Sequence, residues 1–468
     1  MEVDPTPTRA PTPLPRNTPA LALLADEAAR LTLDTVPAHV QAQARLCILD
    51  TIGCVIAGTR TEEASLVLAC EPPDDAPAQA TILGTAQRRG LRGAIRVNGY
   101  LGDVLELNDL IGGHASIGNV CASLALAEAE NASGAALIEA VVRGIEVTSR
   151  IYDAVYPSLK RFTGMGLVPV GIPSSIGAAA AAARLLELDA EQTRHAMAIA
   201  GALAGWCPAE VIFGDGGTMK PLLFGAQPGD TGVTAAMYAR RGMTGPPALL
   251  DSKLGYFATA AVSARLDTGA WTDTWALARP RRKLHACCGY LHSAVDAAGL
   301  LRERLGGDLH RGIVEVHVPA YTADAVSKSR PPHSPNDARF HLQYCVALVL
   351  CGADVIAPEH SIEFAAHLAR PDIAAAMERV RVVVDTSLSH YHQCRIVVKN
   401  GEAILGEQQL DAPRGSPTKP LRDEDVVHKF LRLAEAVLRP GRSGRFLDGL
   451  ATLHTLGSVR AWIAELAP

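Results

Sequence analysis

Between Val97 and Gly118 the chain gathers Asp103, Glu106, Asn108 and Asp109, then a glycine pair, Gly112-Gly113, and His114. Carboxylates beside an imidazole are the inventory of general acid/base catalysis, because a carboxylate holds the ring in one tautomer and keeps it basic near neutral pH. The spacing predicts a helix on which Glu106 and Asp109 share a face at i, i+3. The glycine pair would end it and turn His114 back over it. A solvated helix end with an ordinary loop histidine would use the same residues, so the stretch does not decide alone.

A second chemical residue is Lys220, within Gly216-Gly217-Thr218-Met219-Lys220-Pro221. Eight lysines stand against 36 arginines, so a lysine in an apolar, glycine-flanked turn calls for a reason. A compact ammonium can hold a carboxylate oxygen, and it can also cap a helix or reach solvent. His390-Tyr391-His392 reads as exposed polar residues at a strand end or loop. No Gly-x-Gly-x-x-Gly follows a strand, and there is no Walker loop and no metal-spaced histidine pair on a helix. The ten cysteines lie in apolar stretches without Cys-x-x-Cys spacing, which predicts reduced thiols and no zinc site.

The elements that must position these residues are mostly helical. Residues 1–18, rich in Pro and Thr, predict a disordered arm. Apolar residues recur at helical spacing from Pro19 to Ala57, where Gly53 and Gly58 would admit a close crossing. Long Ala/Leu helices are expected at 118–130 and 134–150, with Asn131 to Gly134 as C-cap and N-cap, and at 173–205. Beyond Trp271 the texture changes. Residues 313–318 and 380–385 alternate at period two, and 393–398 reads as a third strand before an Asn400-Gly401 turn. Amphipathic helix returns at 423–438 and 458–466. The predicted fold class is therefore mainly α with a smaller α/β part: a large all-helical domain built from both chain ends (19–270 and 411–468) with an inserted α/β lid domain (271–410), and a site in the cleft between them.

With 468 residues, 48% hydrophobic content and a net charge of -5, the chain can bury a large core. No block of basic residues points to nucleic acid. No apolar run is expected to reach a membrane span, and the start does not read as a leader, which makes the cytoplasm the default.

In order along the chain, Leu46 to Cys54, Val97-Asn98-Gly99, His114-Ala115, Gly177 with its alanine run, Gly217 to Leu222, Gly242 to Pro246, Lys283 to Cys288 with Tyr290 and His292, Asn336 to Cys345, and Pro413 to Phe430 match the landmarks of the MmgE/PrpD family. The chain resembles that family from about residue 20 to 465. Its members include 2-methylcitrate dehydratase, cis-aconitate decarboxylase and iminodisuccinate epimerase. The resemblance implies a helical domain plus a lid, a homodimer, no cofactor and no metal, and a proton moved at the carbon beside a carboxylate while cations hold the enediolate-like charge.

Carried over by position, the resemblance makes Glu106 the family's carboxylate before the bend, one methylene longer, and keeps His114, Lys220, Lys283 and His292. Cys288 stands where some members use an acid/base histidine. Leu110 replaces a threonine, Val168 a histidine, and Leu223 and Ala226 a histidine and an arginine; His285 and Tyr290 complete the expected pocket. The losses exchange polar groups for apolar ones, which suits a substrate with fewer carboxylates and more hydrocarbon than a tricarboxylate. The function expected is a cofactor-independent lyase, dehydratase or decarboxylase, acting on a small carboxylate or apolar acid. His114 would be the acid/base, Lys220 and Lys283 the anchors, and Glu106 or Asp109 the orienting group. The alternative is an isomerase, epimerase or cyclase on the same frame, with a place in secondary metabolism.

Overall fold

The computed structural model describes residues 18–73, 77–160, 170–205, 219–267, 269, 271–272, 274–307 and 312–468. The protein is mainly helical with a small α/β part. At its centre lies the helix Ala38–Gly58, buried from Leu46 to its last residue. The helices Leu91–Asp103, Ala115–Ala129 and Asp423–Ala434 pack around it, so it has no polar face to show. By length and composition this helix is apolar enough to cross a membrane, contrary to the expectation that no run reaches that length; here 78% of its apolar window is buried within the fold.

Three crossings fix the helical part. At Gly58 an added Cβ would stand 2.0 Å from the Leu101 carbonyl oxygen, so Ala38–Gly58 and Leu91–Asp103 meet backbone to backbone. At Gly53 the C-terminal helix passes at ordinary contact distance, with Phe430 and Leu433 3.4 Å from an added Cβ. The helix Gly171–Leu185 lies on Gly134–Val155, where a Cβ at Gly177 would come within 2.4 Å of the Gly144 carbonyl oxygen. The alanine run that follows Gly177 is buried inside the chain, so these small residues serve internal packing. Ser133 caps one helix by accepting from the Ala136 amide, and Asp189 caps another by accepting from the Gln192 amide.

The α/β part holds a four-stranded sheet in the order Val380–Val384, Ile313–Val318, Cys394–Asn400, Ala403–Leu410. The first pair is parallel and the others antiparallel, with Gly401 at φ 59° turning the last hairpin. The strand Ala403–Leu410 and the helix Arg442–Ala451 are additions to the sequence reading. One apolar cluster joins residues from Ala20 to Ala286 with Val426 to Leu466, and a second runs from Cys287 to Leu410. Trp271, Trp275 and Leu277, placed beyond the break by sequence, pack in the larger cluster. The Glu146 carboxylate accepts from the amides of Ala276 and Leu277, and Arg150 lies 4.9 Å from the Trp271 ring centre.

Candidate active site

The helix Leu91–Asp103 ends at Asp103, and residues 104–114 continue as turns. Glu106 and Asp109 therefore share no helix face, contrary to the expectation. Glu106 has a left-handed φ of 54°, which no helix accommodates and which costs about 1–3 kcal/mol in a non-glycine residue. A specific bond accompanies the strain. Lys283 Nζ donates to both the Glu106 carbonyl and its Oε2, each at 2.8 Å, so one ammonium grips main chain and side chain together.

The other wall comes from Met219 to Ala226, where a short helical turn passes into a π-helical one over Leu222–Ala226. A Cβ at Gly99 would come within 2.4 Å of the Gly225 carbonyl oxygen, and one at Gly225 within 2.0 Å of that of Gly99. Only glycine on both sides lets the two backbones touch, and this touch sets Lys220 beside the end of the acidic helix. Lys220 Nζ lies 2.8 Å from Asp103 Oδ2 and pairs with Glu106 Oε1. All four groups are buried, Asp103 completely. Asp103, Lys220, Glu106 and Lys283 thus form a chain of alternating charge.

His114 closes the corner. Its Nδ1 is 3.1 Å from Asn108 Nδ2 and 3.7 Å from Asp103 Oδ1, and its ring centre is 5.1 Å from that of Phe224. Gly112 and Gly113, at φ 50° and 84°, press this loop onto the helix Gly134–Val155, where added Cβ atoms would strike Ser149 and the Tyr152 ring. The orienting partners of His114 are thus Asp103 and Asn108. Asp109 turns away: its Oδ2 accepts from Ser116 Oγ at 2.7 Å and its Oδ1 from the Ile111 amide, which holds the loop rather than the imidazole.

The charges sort these groups. Burial, then Lys220 and Lys283, hold the His114 ring well below the usual histidine range, so it is neutral. Burial alone would raise Glu106, but Lys220 and Lys283 outweigh it and keep that carboxyl below its ordinary value. For Asp103 burial wins over Lys220, and its carboxyl is pushed up to about 6. Burial pushes Asp109 up to about 6 as well, with Asp50 adding to the effect. Lys283 loses to burial but gains more from Glu106, and rises.

The remaining predicted residues divide. Cys288 is buried, and burial with Glu106 nearby pushes its thiol up to about 12, so it stands as a neutral SH. His285 is spent on structure: its Nδ1 accepts from the Ile356 amide, so Nε2 donates to Asp296 Oδ1 at 3.0 Å, and Arg414 binds the same carboxylate. His292 stacks edge-on against His285 at 5.0 Å and donates from Nε2 to the Cys287 carbonyl. Burial first, then His285 and Lys283, keep it neutral too. Leu110 does line the corner, since a Cβ at Gly289 would lie 2.9 Å from Leu110 Cδ1 and 3.9 Å from Lys283 Cε. Leu223 does not: its Cδ1 faces Gly205, and Phe224 takes the place at the corner, 5.1 Å from Lys220 Nζ. Val168 lies outside the described residues.

Three features escaped the sequence reading. Asp103 is the junction of the charge chain. Lys429, from the helix Asp423–Ala434, pairs with Asp50 at 2.7 Å and donates to the carbonyls of Leu107 and Lys283 at 2.8 Å each, tying both sides of the corner together. The third is a cluster of rings. His390, Tyr391 and His392 are half-buried, not exposed: Tyr391 lies 5.0 Å from Tyr290, and His390 Nε2 is 3.2 Å from the Tyr156 hydroxyl. Tyr152 stacks on Tyr156 at 5.3 Å and backs Gly113, which makes these rings continuous with the His114 loop.

The arrangement can hold an anion on ammonium groups and move a proton on a neutral imidazole beside it. Comparison with known proteins agrees with such chemistry. The MmgE/PrpD N-terminal domain matches residues 22–268 and the MmgE/PrpD C-terminal domain residues 285–454. The cis-aconitate decarboxylase-like protein oryM of Aspergillus oryzae is 25% identical over 467 residues, covering 92% of this chain and 94% of the relative. A cis-aconitate decarboxylase of Aspergillus terreus is 26% identical over 92% of each chain. That of Homo sapiens is 26% identical over 84% of this chain and 82% of its own.

Proposed function

Because this chain belongs to the MmgE/PrpD family, we propose that it is a cofactor-independent lyase that removes carbon dioxide or water from a carboxylic acid by moving a proton at the carbon beside a carboxylate. The observation that carries this reading is the neutral His114 ring, its Nδ1 side fixed by Asn108 and Asp103, next to the buried ammonium groups of Lys220 and Lys283.

The substrate carboxylate is held by the lysines, which also face the negative charge that develops on it as the enediolate forms. His114 takes or gives the proton at Nε2, with Nδ1 turned to Asp103 Oδ1, 3.7 Å away. In a dehydration the ring takes the proton from carbon and the departing hydroxide leaves as water with that proton. In a decarboxylation the carbon that carbon dioxide has left takes a proton that the neutral ring has first picked up from solvent. The relatives named as cis-aconitate decarboxylases weigh toward loss of carbon dioxide. Leu110, Phe224 and the tyrosine and histidine rings support a substrate with more hydrocarbon and fewer carboxylates than a tricarboxylate.

His114→Ala should lower kcat by at least about a hundredfold, the scale of losing a positioned acid/base, with a smaller change in KM. The ring cluster favours one second reading, an isomerase or cyclase that works chiefly by shaping an apolar substrate. On that reading Tyr156→Ala and Tyr391→Ala cost more than His114→Ala, and near-wild-type turnover of His114→Ala would sink the lyase.

A further inference from the structure

We infer that Glu106 is a resident anion that occupies one of the places the lysine pair would offer a polycarboxylate, restricting the site to acids that present a single carboxylate there. The inference rests on the lyase reading for its substrate class and adds the residue that sets the charge of that substrate.

The geometry is that of a bound ligand. One oxygen of the Glu106 carboxylate meets Lys220 and the other meets Lys283, so the group bridges two ammonium ions as a substrate carboxylate would. It is also fastened there. The backbone of Glu106 is held in its left-handed conformation while Lys283 binds the residue's own carbonyl, and the residue is only 4% exposed. An aspartate, one methylene shorter on the same backbone, would fall short of one or both lysines.

Donor capacity gives the stoichiometry. An ammonium has three N–H groups. Lys220 meets an oxygen of Asp103 and one of Glu106, and Lys283 meets the carbonyl and one carboxylate oxygen of Glu106. Lys283 thus keeps one donor, and Lys220, whose contacts with Asp103 and Glu106 are ion pairs without hydrogen-bond geometry, keeps at least one, together enough for the two oxygens of one carboxylate. Among the described residues the neighbouring cations are engaged elsewhere: Lys429 with Asp50 and two carbonyls, Arg282 with Gln43, Arg339 with Glu63 and Ser361, and Arg281 with Asp153 and the tyrosine rings. Among the described residues Asp103 and Glu106, set against Lys220 and Lys283, already cancel the charges of the corner. A second and third carboxylate would enter a buried neutral site as unpaired anions, which is strongly unfavourable.

The test is binding by the full-length protein, with tricarballylate as the tricarboxylate probe and hexanoate as the monocarboxylate probe, measured by calorimetry or ligand-observed NMR. Wild-type protein should bind hexanoate more tightly than tricarballylate. Glu106→Gln and Glu106→Asp, shown to be folded by an unchanged thermal transition, should each bind tricarballylate at least about tenfold more tightly than wild type, with a smaller change for hexanoate. Wild-type protein preferring tricarballylate overturns the inference whatever the variants do, and so does a folded variant that gains nothing. None of these measurements uses turnover, so their failure leaves the lyase reading to the His114→Ala assay.

Discussion

Gly99→Ala is a perturbation whose size can be worked from the structure. The new methyl would stand 2.4 Å from the Gly225 carbonyl oxygen and 2.9 Å from Ala226 Cα, where ordinary contact begins near 3.4 Å. Its neighbours are backbone, so the two segments must part by about 1 Å, the shortfall between those distances. Overpacking of this kind costs about 1–3 kcal/mol. Parting the segments also lengthens the 2.8 Å Lys220 to Asp103 contact, and at an effective dielectric of 20 an extra 1 Å there weakens the attraction by about 1.5 kcal/mol. The sum is a destabilisation of about 2.5–4.5 kcal/mol, read from the urea midpoint at constant slope. Since a 1 Å misplacement of a catalytic group can cost about a hundredfold in rate, kcat should fall by a similar factor. Gly444→Ala is the control. It lies in the helix Arg442–Ala451 with nothing within 4 Å of an added Cβ, and should be neutral or stabilising by up to about 1 kcal/mol. A Gly99→Ala protein with wild-type midpoint and kcat would refute the claim that this backbone contact positions Lys220.

Further outcomes follow from single groups. Above about pH 6 Asp103 is ionised and can orient His114, so kcat should rise with pH through that value and level off, and Asp103→Asn should flatten the limb. The linkage has the opposite sign for stability: a carboxyl raised from its ordinary 3.8 to about 6 favours folding below the lower value, and that contribution is lost as pH climbs through about 6. Lys429→Met strands Asp50 as a buried, unpaired carboxylate and should destabilise the protein by about 3–5 kcal/mol in urea, with Asp50→Asn restoring part of it. The homodimer that the family resemblance implies should appear in light scattering at micromolar concentration. The exposed Met243, Leu254 and Val262 are the apolar side chains to test, Leu254→Asp being expected to weaken the dimer.

What the sequence made legible was whatever local rules govern. The cap at Ser133 and the turn at Asn400-Gly401 act within a few residues, and the helix and third strand they bound are found where expected. The edge strand Ala403–Leu410 was not legible, because most of its side chains are exposed or half-exposed and nothing forces apolar and polar residues to alternate. In the site, His114, Glu106 and Lys220 could be named from type and spacing and Lys283 from the family resemblance, but their partners could not. The helix was read through Asp109 because nothing local announces that Glu106 takes a left-handed turn. The cause is an ammonium 177 positions away.

Leu223 was named only by its position in the family resemblance, and Phe224 was not named. A π-helical turn inserts one residue into the helical period, so it moves the next side chain onto the face where an α-helix would show its predecessor. Lys429 could have been suspected, since it sits three residues after Val426 and four before Leu433, on the stripe that an amphipathic helix buries. A buried lysine on that stripe needs an acid, and Asp50 stands inside an otherwise apolar helix. The residues that break local rules, a left-handed glutamate, a π-helical turn, two touching glycines and three buried lysines, therefore converge on one corner. Each costs stability by itself, and they are compatible only where each supplies what another lacks: the lysines neutralise the acids, and the glycine contact brings the lysine turn to them. That mutual dependence makes the corner around His114 a more specific candidate than any single residue in it.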